Sequence, residues 1–485
     1  MPHSQIDLVA AARQEMIRDG FEPDFPPETA AQLAAIKARG PLPEQPDVRD
    51  LRSLLWSSID NDTSRDLDQI EYAERTPAGI RVLVGIADVD SDVPARSPID
   101  GHAAKETTTV YTAVRNFPML PELLSTNLTS LAEQQDRLAI VIEMVVTAEG
   151  SVSNPQIYRA LVRNRAQLVY DRVGEWLEGR AAPDPKVATS PELQAQLKLQ
   201  DEAALSLRAQ RHRLGALNFD RVEPVAIVGE GQVTGIRAAH KTRANDLIED
   251  FMIAANETMA QTLKARGVAS IRRVVKSPER WQRIVALAAQ HGESLPPQPD
   301  SATLAAFLEK RRAADPIHYA DLSLSVVKLL GPGEYAVTHA GDPNQGHFGL
   351  AAQDYTHSTA PNRRFADLVT QRLIKAMLGH QPPPYSDAEL ESIARNCTLK
   401  EDAARKVERS MAKRVAAVAM QSRIGQNFAA VVTGVTPKGV FVRVPDPPVE
   451  GILARGQSGV DVGDQIHVTL IAADPQRGYI DFARI

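Results

Sequence analysis

Apolar residues recur at helical intervals in some stretches of the chain and gather into short β-branched blocks in others. The spacing predicts helices over 4–20, 28–40, 192–213, 246–266, 365–378 and 387–423. Ser4 is the expected N-cap of the first and Gly20 its stop. Strand-like runs stand at 80–89 and 138–147, enriched in Val and Ile. Pro clusters at 296–300 and 382–387 mark turns. After residue 425 the pattern changes to short strands with Gly turns, at 428–435, 439–444, 449–454, 465–474 and 478–484. Five strands in so short a block predict an OB-fold barrel.

These elements divide the chain into a helical N-terminal arm (1–48, ending in the linker 41–47), a large α+β block (49–421) and the terminal barrel (425–485). The two arm helices suit either a helix-turn-helix-like nucleic-acid module or an arm packed on its neighbour, and packing is expected. A chain of 485 residues with 43% hydrophobic residues has material for about three domains and a core. No apolar run reaches the ~20 residues of a membrane helix, and no secretory leader pattern opens the chain. The one cysteine, Cys397, permits no internal disulfide. A soluble, cytoplasmic, monomeric protein is expected. The net charge of −6 argues weakly against a nucleic-acid binder. Basic residues nevertheless gather at Arg159, Arg163 and Arg165, at Arg208, Arg211 and Arg213, at Arg272, Arg273 and Lys276, and from Arg405 to Arg414, as a polyanion path would need.

The segment 59-IDNDTSRDLDQIEY-72 places Asp60, Asp62, Asp66 and Asp68 within nine positions, flanked by apolar residues. Carboxylates this close repel one another unless a cation lies between them. Asp66 and Asp68, at i and i+2, leave an extended chain on one side. The loop 61–65 is long enough to return Asp60 towards them. Counted from Asp60, the EF-hand Gly and Glu positions hold Arg65 and Glu71, so that calcium loop is disfavoured. An acidic surface turn remains the alternative reading.

The blocks 59-IDNDTSRDLDQ-69, 84-VGIADV-89, 110-VYTAVRNFPMLPELLSTNLTSL-131, 247-LIEDFMIAANE-257 and 347-HFGLAAQDYTHSTAPNRRFADLVTQRL-373 resemble, in order, the catalytic domain of the ribonuclease II (RNB) family. The barrel resembles that family's S-one-type OB domain. The resemblance implies a processive 3′-to-5′ exoribonuclease using Mg²⁺, or Mn²⁺, and releasing nucleoside 5′-monophosphates. RNA, single-stranded or with a 3′ overhang, is the implied partner. Asp60, Asp66 and Asp68 match the first three active-site aspartates, and Gln69 stands at the fourth. Asp62 is the candidate to compensate. Asp66, Asp68 and Arg363 are the implied catalytic groups. Arg363 and Arg364 match the phosphate-contacting position, Tyr111 and Tyr170 the base-stacking aromatics, and Glu408 a carboxylate near the terminal ribose.

On the barrel, Phe428 and Phe441 could stack bases or lie in the core, with Lys438, Arg443 and Arg455 placed for phosphates. Val275 replaces a common His, and 360-APNR-363 replaces a Ser-Pro-Ile-Arg run. The 48 residues before the catalytic block are too few for the cold-shock domains of many relatives, so another RNA entrance is expected. Gln69 motivates a second reading, a catalytically silent RNA binder. A phosphoesterase for small nucleotides is a third, with no use for the barrel.

Overall fold

A computed structural model describes residues 6–40, 47–219, 223–229, 232–316, 318–343, 345–437 and 439–485. Its frame is a six-stranded sheet in the order Val48–Asp50, Val152–Val169, Trp56–Asp60, Gln69–Thr76, Gly79–Ala87, Asp136–Val146. The 18-residue strand Val152–Val169 bridges the two ends of this order. Its first part pairs antiparallel with Asp136–Val146 and its last part parallel with Trp56–Asp60, so the sheet curls back on itself. Residues alternate along it from Ile157 to Leu168, buried then half-buried, as a pleated strand against a core requires.

The helix Phe365–Leu378 lies against this sheet, with Phe365 to Ile374 all buried. Its polar residues are each matched. Gln371 donates to the Ala87 carbonyl at 2.7 Å, and Arg372 meets Asp90, Asp100 and the Tyr385 hydroxyl. The helices Pro191–Arg213 and Arg243–Ala265 pack beside each other on the same body. A capping box of Thr242 and Asn245 starts the second of these at Arg243, three residues before its expected first turn. Among the described residues no helix is long and apolar enough to cross a membrane.

The helix Asp387–Met420 is 34 residues long, opens on a capping box of Ser386 and Glu389, and ends in one 3₁₀ turn over Gln421–Arg423. The terminal block is a closed five-stranded barrel in the order Asn427–Thr436, Gly439–Val444, Val449–Arg455, Tyr479–Arg484, Gln465–Asp474. Val442, Leu453, Val468, Leu470 and Phe482 fill it. The barrel seats closely on the long helix at Gly478 (φ 68°), where a Cβ would come within 2.9 Å of the Lys413 Cβ. An ion pair of Arg443 with Asp321 (2.6 Å) ties it to the helix Tyr319–Leu330, so Arg443 is not free for the phosphate contact expected of it.

The arm helices are Leu8–Arg18 and Pro27–Arg39. Asp7 caps the first, accepting from the N–H groups of Val9 and Ala10, whereas Ser4 lies outside the described residues. Ala11, Ala12, Met16 and Phe21 form one cluster with Val110, Phe117, Val407 and Met411. The second helix meets Pro98–Glu106 through Gln32, which reaches Ser97 and the Ile99 N–H. The linker call over 41–47 falls, except for Asp47, outside the described residues.

His102 couples arm to body, its ring 4.4 Å from that of Phe25. Burial, with Lys105 and Lys400 nearby, pulls its pKa down from 6.5 to about 4. Between those values the unfolded chain binds the extra proton, so stability is full above pH 6.5 and falls as pH drops towards 4. Thermal melts from pH 7 to 4.5 should lose less stability for His102→Phe than for the parent, by up to about 3 kcal/mol. Parallel curves would refute this.

Candidate active site

Asp60 ends the strand Trp56–Asp60, and Gln69 opens the next, Gln69–Thr76. Between them the loop 61–68 is pinned from outside. The Leu67 N–H donates to Ser130 Oγ (3.1 Å), the Leu131 N–H to the Leu67 carbonyl (2.9 Å) and the Ala87 N–H to the Asp68 carbonyl (2.9 Å). The loop therefore brings Asp60 and Asp68 to one end of the curled sheet, both buried, with Asp66 half-exposed beside them.

Each carboxylate is held by a different neighbour. Gln69 Nε2 donates to Asp60 Oδ1 at 3.1 Å, while Asp60 Oδ2 is buried without a partner. Asp68 accepts the Asn362 N–H at 2.9 Å and meets Arg363 Nε at 3.3 Å. The Tyr111 hydroxyl donates to Asp66 Oδ2 at 2.8 Å. Burial raises the Asp60 pKa to about 6 and the Asp68 pKa to about 7, Arg363 offsetting part of the effect and Asp66 adding to it. Among the described residues no three His, Cys, Asp or Glu side chains close around one point. The donor set nevertheless fits a hard cation: oxygens only, one of them a buried carboxylate oxygen left without a partner.

Asp62 does not join this group. It is exposed in the loop and lines a separate recess of about 480 Å³ with Thr63, Ser64, Arg65, Thr126 and Gln167. The compensation expected of it has no support in its position.

The two arginines separate. The segment 107–109 clasps them, with the Phe365 N–H donating to the Thr107 carbonyl and the Thr109 N–H to the Arg363 carbonyl (2.8 and 2.9 Å). Thr107 makes this turn at φ 59°. Arg363 then lies beside Asp68 with 43% of its side chain exposed, free to meet a ligand. Arg364 instead pairs at 2.7 Å with Asp367, which is wholly buried, and so anchors the start of Phe365–Leu378.

Tyr111, at 39% exposure, joins two parts of the site, its hydroxyl on Asp66 and its N–H donating to Glu408 Oε1 at 3.1 Å. Burial raises the Glu408 pKa. Tyr170 opens the helix Tyr170–Leu177 and is half-buried. Its hydroxyl pKa is pushed up by burial and by Asp60 and Glu71, which puts it near the carboxylates. That helix approaches Thr242 so closely that a Cβ on Gly174 would lie 2.3 Å from Thr242 Oγ1.

On the barrel, Phe441 lies on the half-exposed outer face while Val440, Val442 and Val444 point inward. Phe428 packs against the barrel core, edge-on to Phe482 at 6.4 Å. Arg455 is exposed, and Lys438 lies outside the described residues. Phe441→Ala should therefore weaken binding of long RNA about tenfold while leaving the barrel folded, which fluorescence anisotropy would measure.

Several expected path cations are spent internally. Arg208 and Arg211 pair with Asp250, Arg163 with Asp136, Arg273 with Glu401, and Arg414 with Glu15. The sequence reading missed Asn362 and Thr129: Thr129 Oγ1 donates to Asn362 Oδ1 at 2.5 Å, fixing the loop whose N–H holds Asp68. The departure at 360-APNR-363 was the available signal.

The curled sheet with its aspartate loop is joined to an OB-type barrel, an architecture that binds oligonucleotides or oligosaccharides. The chain belongs to the RNB family: the RNB domain matches residues 48–380, and the RNase II-type exonuclease C-terminal S1 domain matches 426–485. Ribonuclease R 1 of Lactococcus lactis is 31% identical over 95% of the chain and 59% of its own length. Ribonuclease R of Thermotoga maritima is 30% identical over 95% of the chain and 68% of its own length. The chain thus spans about 60 to 70% of these relatives. Mycoplasma genitalium RNase R, solved with ribose-methylated single-stranded RNA, shares the fold at a TM-score of 0.87 and 23% identity, over 99% of this chain and 78% of that one.

Proposed function

We propose that the protein is a Mg²⁺-dependent exoribonuclease that degrades RNA processively from its 3′ end to nucleoside 5′-monophosphates. The observation that carries this reading is the meeting of buried Asp60 and Asp68 with half-exposed Arg363 at one end of the sheet. The family's named relatives, ribonucleases R, supply the reaction class.

Divalent cations, Mg²⁺ or Mn²⁺, would neutralise charge on the attacking and leaving oxygens of an in-line hydrolysis. Asp60 and Asp68 would hold them, with Asp66 at the exposed side. Arg363 presents its guanidinium to two phosphate oxygens and stabilises the charge that builds on them. A water oxygen bonds phosphorus as the P–O3′ bond breaks, and the 3′ oxygen leaves with a proton. Tyr111 and Tyr170 would stack bases whatever their identity, and Glu408 would meet the ribose hydroxyls that distinguish RNA from DNA. The barrel adds a remote hold on the strand. On this reading the protein is a monomer working in the cytoplasm.

The experiment is digestion of 5′-labelled single-stranded RNA with Mg²⁺, Mn²⁺ or EDTA. A metal-dependent collapse to a short labelled product without intermediates supports the reading. RNA bound but left intact under every metal condition supports the silent binder that Gln69 motivates.

A further inference from the structure

Of the nine acidic residues buried among the described ones, seven hold an ion pair: Glu15, Asp68, Asp88, Asp100, Glu106, Asp250 and Asp367. The two without one are Asp60 and Glu71. Glu71 is wholly buried, and neither of its oxygens has a hydrogen-bond partner. Leaving one ionised carboxylate so placed is costly, and two close together more so.

The two are neighbours. Glu71 follows Gln69 by two residues on the strand Gln69–Thr76, so both side chains leave the same face about 7 Å apart. Gln69 reaches Asp60 Oδ1 from that face. Glu71 stands opposite Ser57 in register, three residues before Asp60, and Ser57 Oγ is also buried without a partner. The charges that act on Glu71 agree. Among the described residues no Lys, Arg or His side chain pairs with Glu71. Tyr170 lies near both acids.

We propose that Glu71 is a cation ligand of the aspartate site, directly or through one water, supplying the negative charge that Gln69 lacks. The assignment rests on the metal-dependent reading above. One divalent cation between Asp60 Oδ2 and Glu71 would satisfy the two buried acids that have no ion pair. The neutral amide at Gln69 would then be matched by a carboxylate two residues further along the same face.

The test measures Mn²⁺ uptake by paramagnetic resonance of the free ion, without RNA, in the full chain and in Glu71→Gln. The isosteric amide should weaken Mn²⁺ binding by about 10- to 100-fold. Moving the acid back, in Gln69→Asp with Glu71→Gln, should restore it. Melting in EDTA should show Glu71→Gln no less stable than the parent, because it removes an unpaired buried charge. If Glu71→Gln does not fold, the double variant and the shorter acid Glu71→Asp carry the test, with wild-type and intermediate affinity expected.

Unchanged Mn²⁺ affinity in Glu71→Gln, with metal-dependent RNA hydrolysis in the parent, overturns the Glu71 assignment alone. A parent that takes up no Mn²⁺ and leaves RNA intact overturns the assignment and the nuclease reading together.

Discussion

Asp68→Asn is expected to lower RNA hydrolysis by about three orders of magnitude while leaving the fold intact. Asp68 sits at the centre of the site, receiving the Asn362 N–H on one oxygen and Arg363 on the other. The amide keeps an acceptor for Asn362 but loses the charge that faces Arg363 and would hold a cation. Metal-assisted charge stabilisation is worth several kcal/mol, and about 4 kcal/mol corresponds to three decades in rate. Stability should change by no more than about 1 kcal/mol, since a neutral group replaces a carboxylate that is 1% exposed. Single-turnover digestion of labelled RNA and thermal melting in EDTA read the two effects separately. Equal loss of activity and stability would mean that Asp68 is structural.

Arg363→Ala is expected to lower kcat by about 10²- to 10³-fold, with a smaller change in KM. The guanidinium acts on charge that grows at the phosphate during reaction, so the loss belongs to the chemical step. Lysine should recover little, because a point charge does not span two phosphate oxygens. The Mg²⁺ requirement should not rise, since the truncation removes a positive side chain from beside Asp68 that would repel a bound cation. Arg364→Ala provides the contrast. Its partner Asp367 is wholly buried, so truncation should lower stability by about 3 to 5 kcal/mol. A matched loss of kcat in both variants with unchanged melting would erase the distinction.

Local patterns made much of the fold legible. The helix Phe365–Leu378 was readable to the residue because its apolar run is bounded by Arg364 and Gly379. The barrel strands were readable from alternation, as in Gly439–Val444, where every second residue is buried. The strand Val152–Val169 was not, because Arg159, Arg163 and Arg165 interrupt it and read as a basic surface. Arg159 and Arg163 have ion-pair partners at Asp47, Asp88 and Asp136, distant in sequence. The site shows the same divide. The grouping of Asp60, Asp66 and Asp68 follows from their spacing, and the difference between Arg363 and Arg364 depends on Asp68 and Asp367 meeting them in three dimensions. Glu71 stands in the sequence only as the twelfth position counted from Asp60, and the packed sheet is what shows it wholly buried.

The helix Asp387–Met420 carries Glu408 beside Tyr111 and holds the barrel near its far end. Glu408 and Met420 are twelve residues apart along it, about 18 Å at the helical rise. A continuous helix of that kind works as a caliper. On the exoribonuclease reading, an RNA long enough to span it would be gripped at both jaws, and one shortened below the span would keep only the jaw at Glu408. Affinity should therefore fall in a step at one chain length rather than by equal amounts per nucleotide, and inserting two helical turns between Glu408 and Lys413 should move that step to longer RNA.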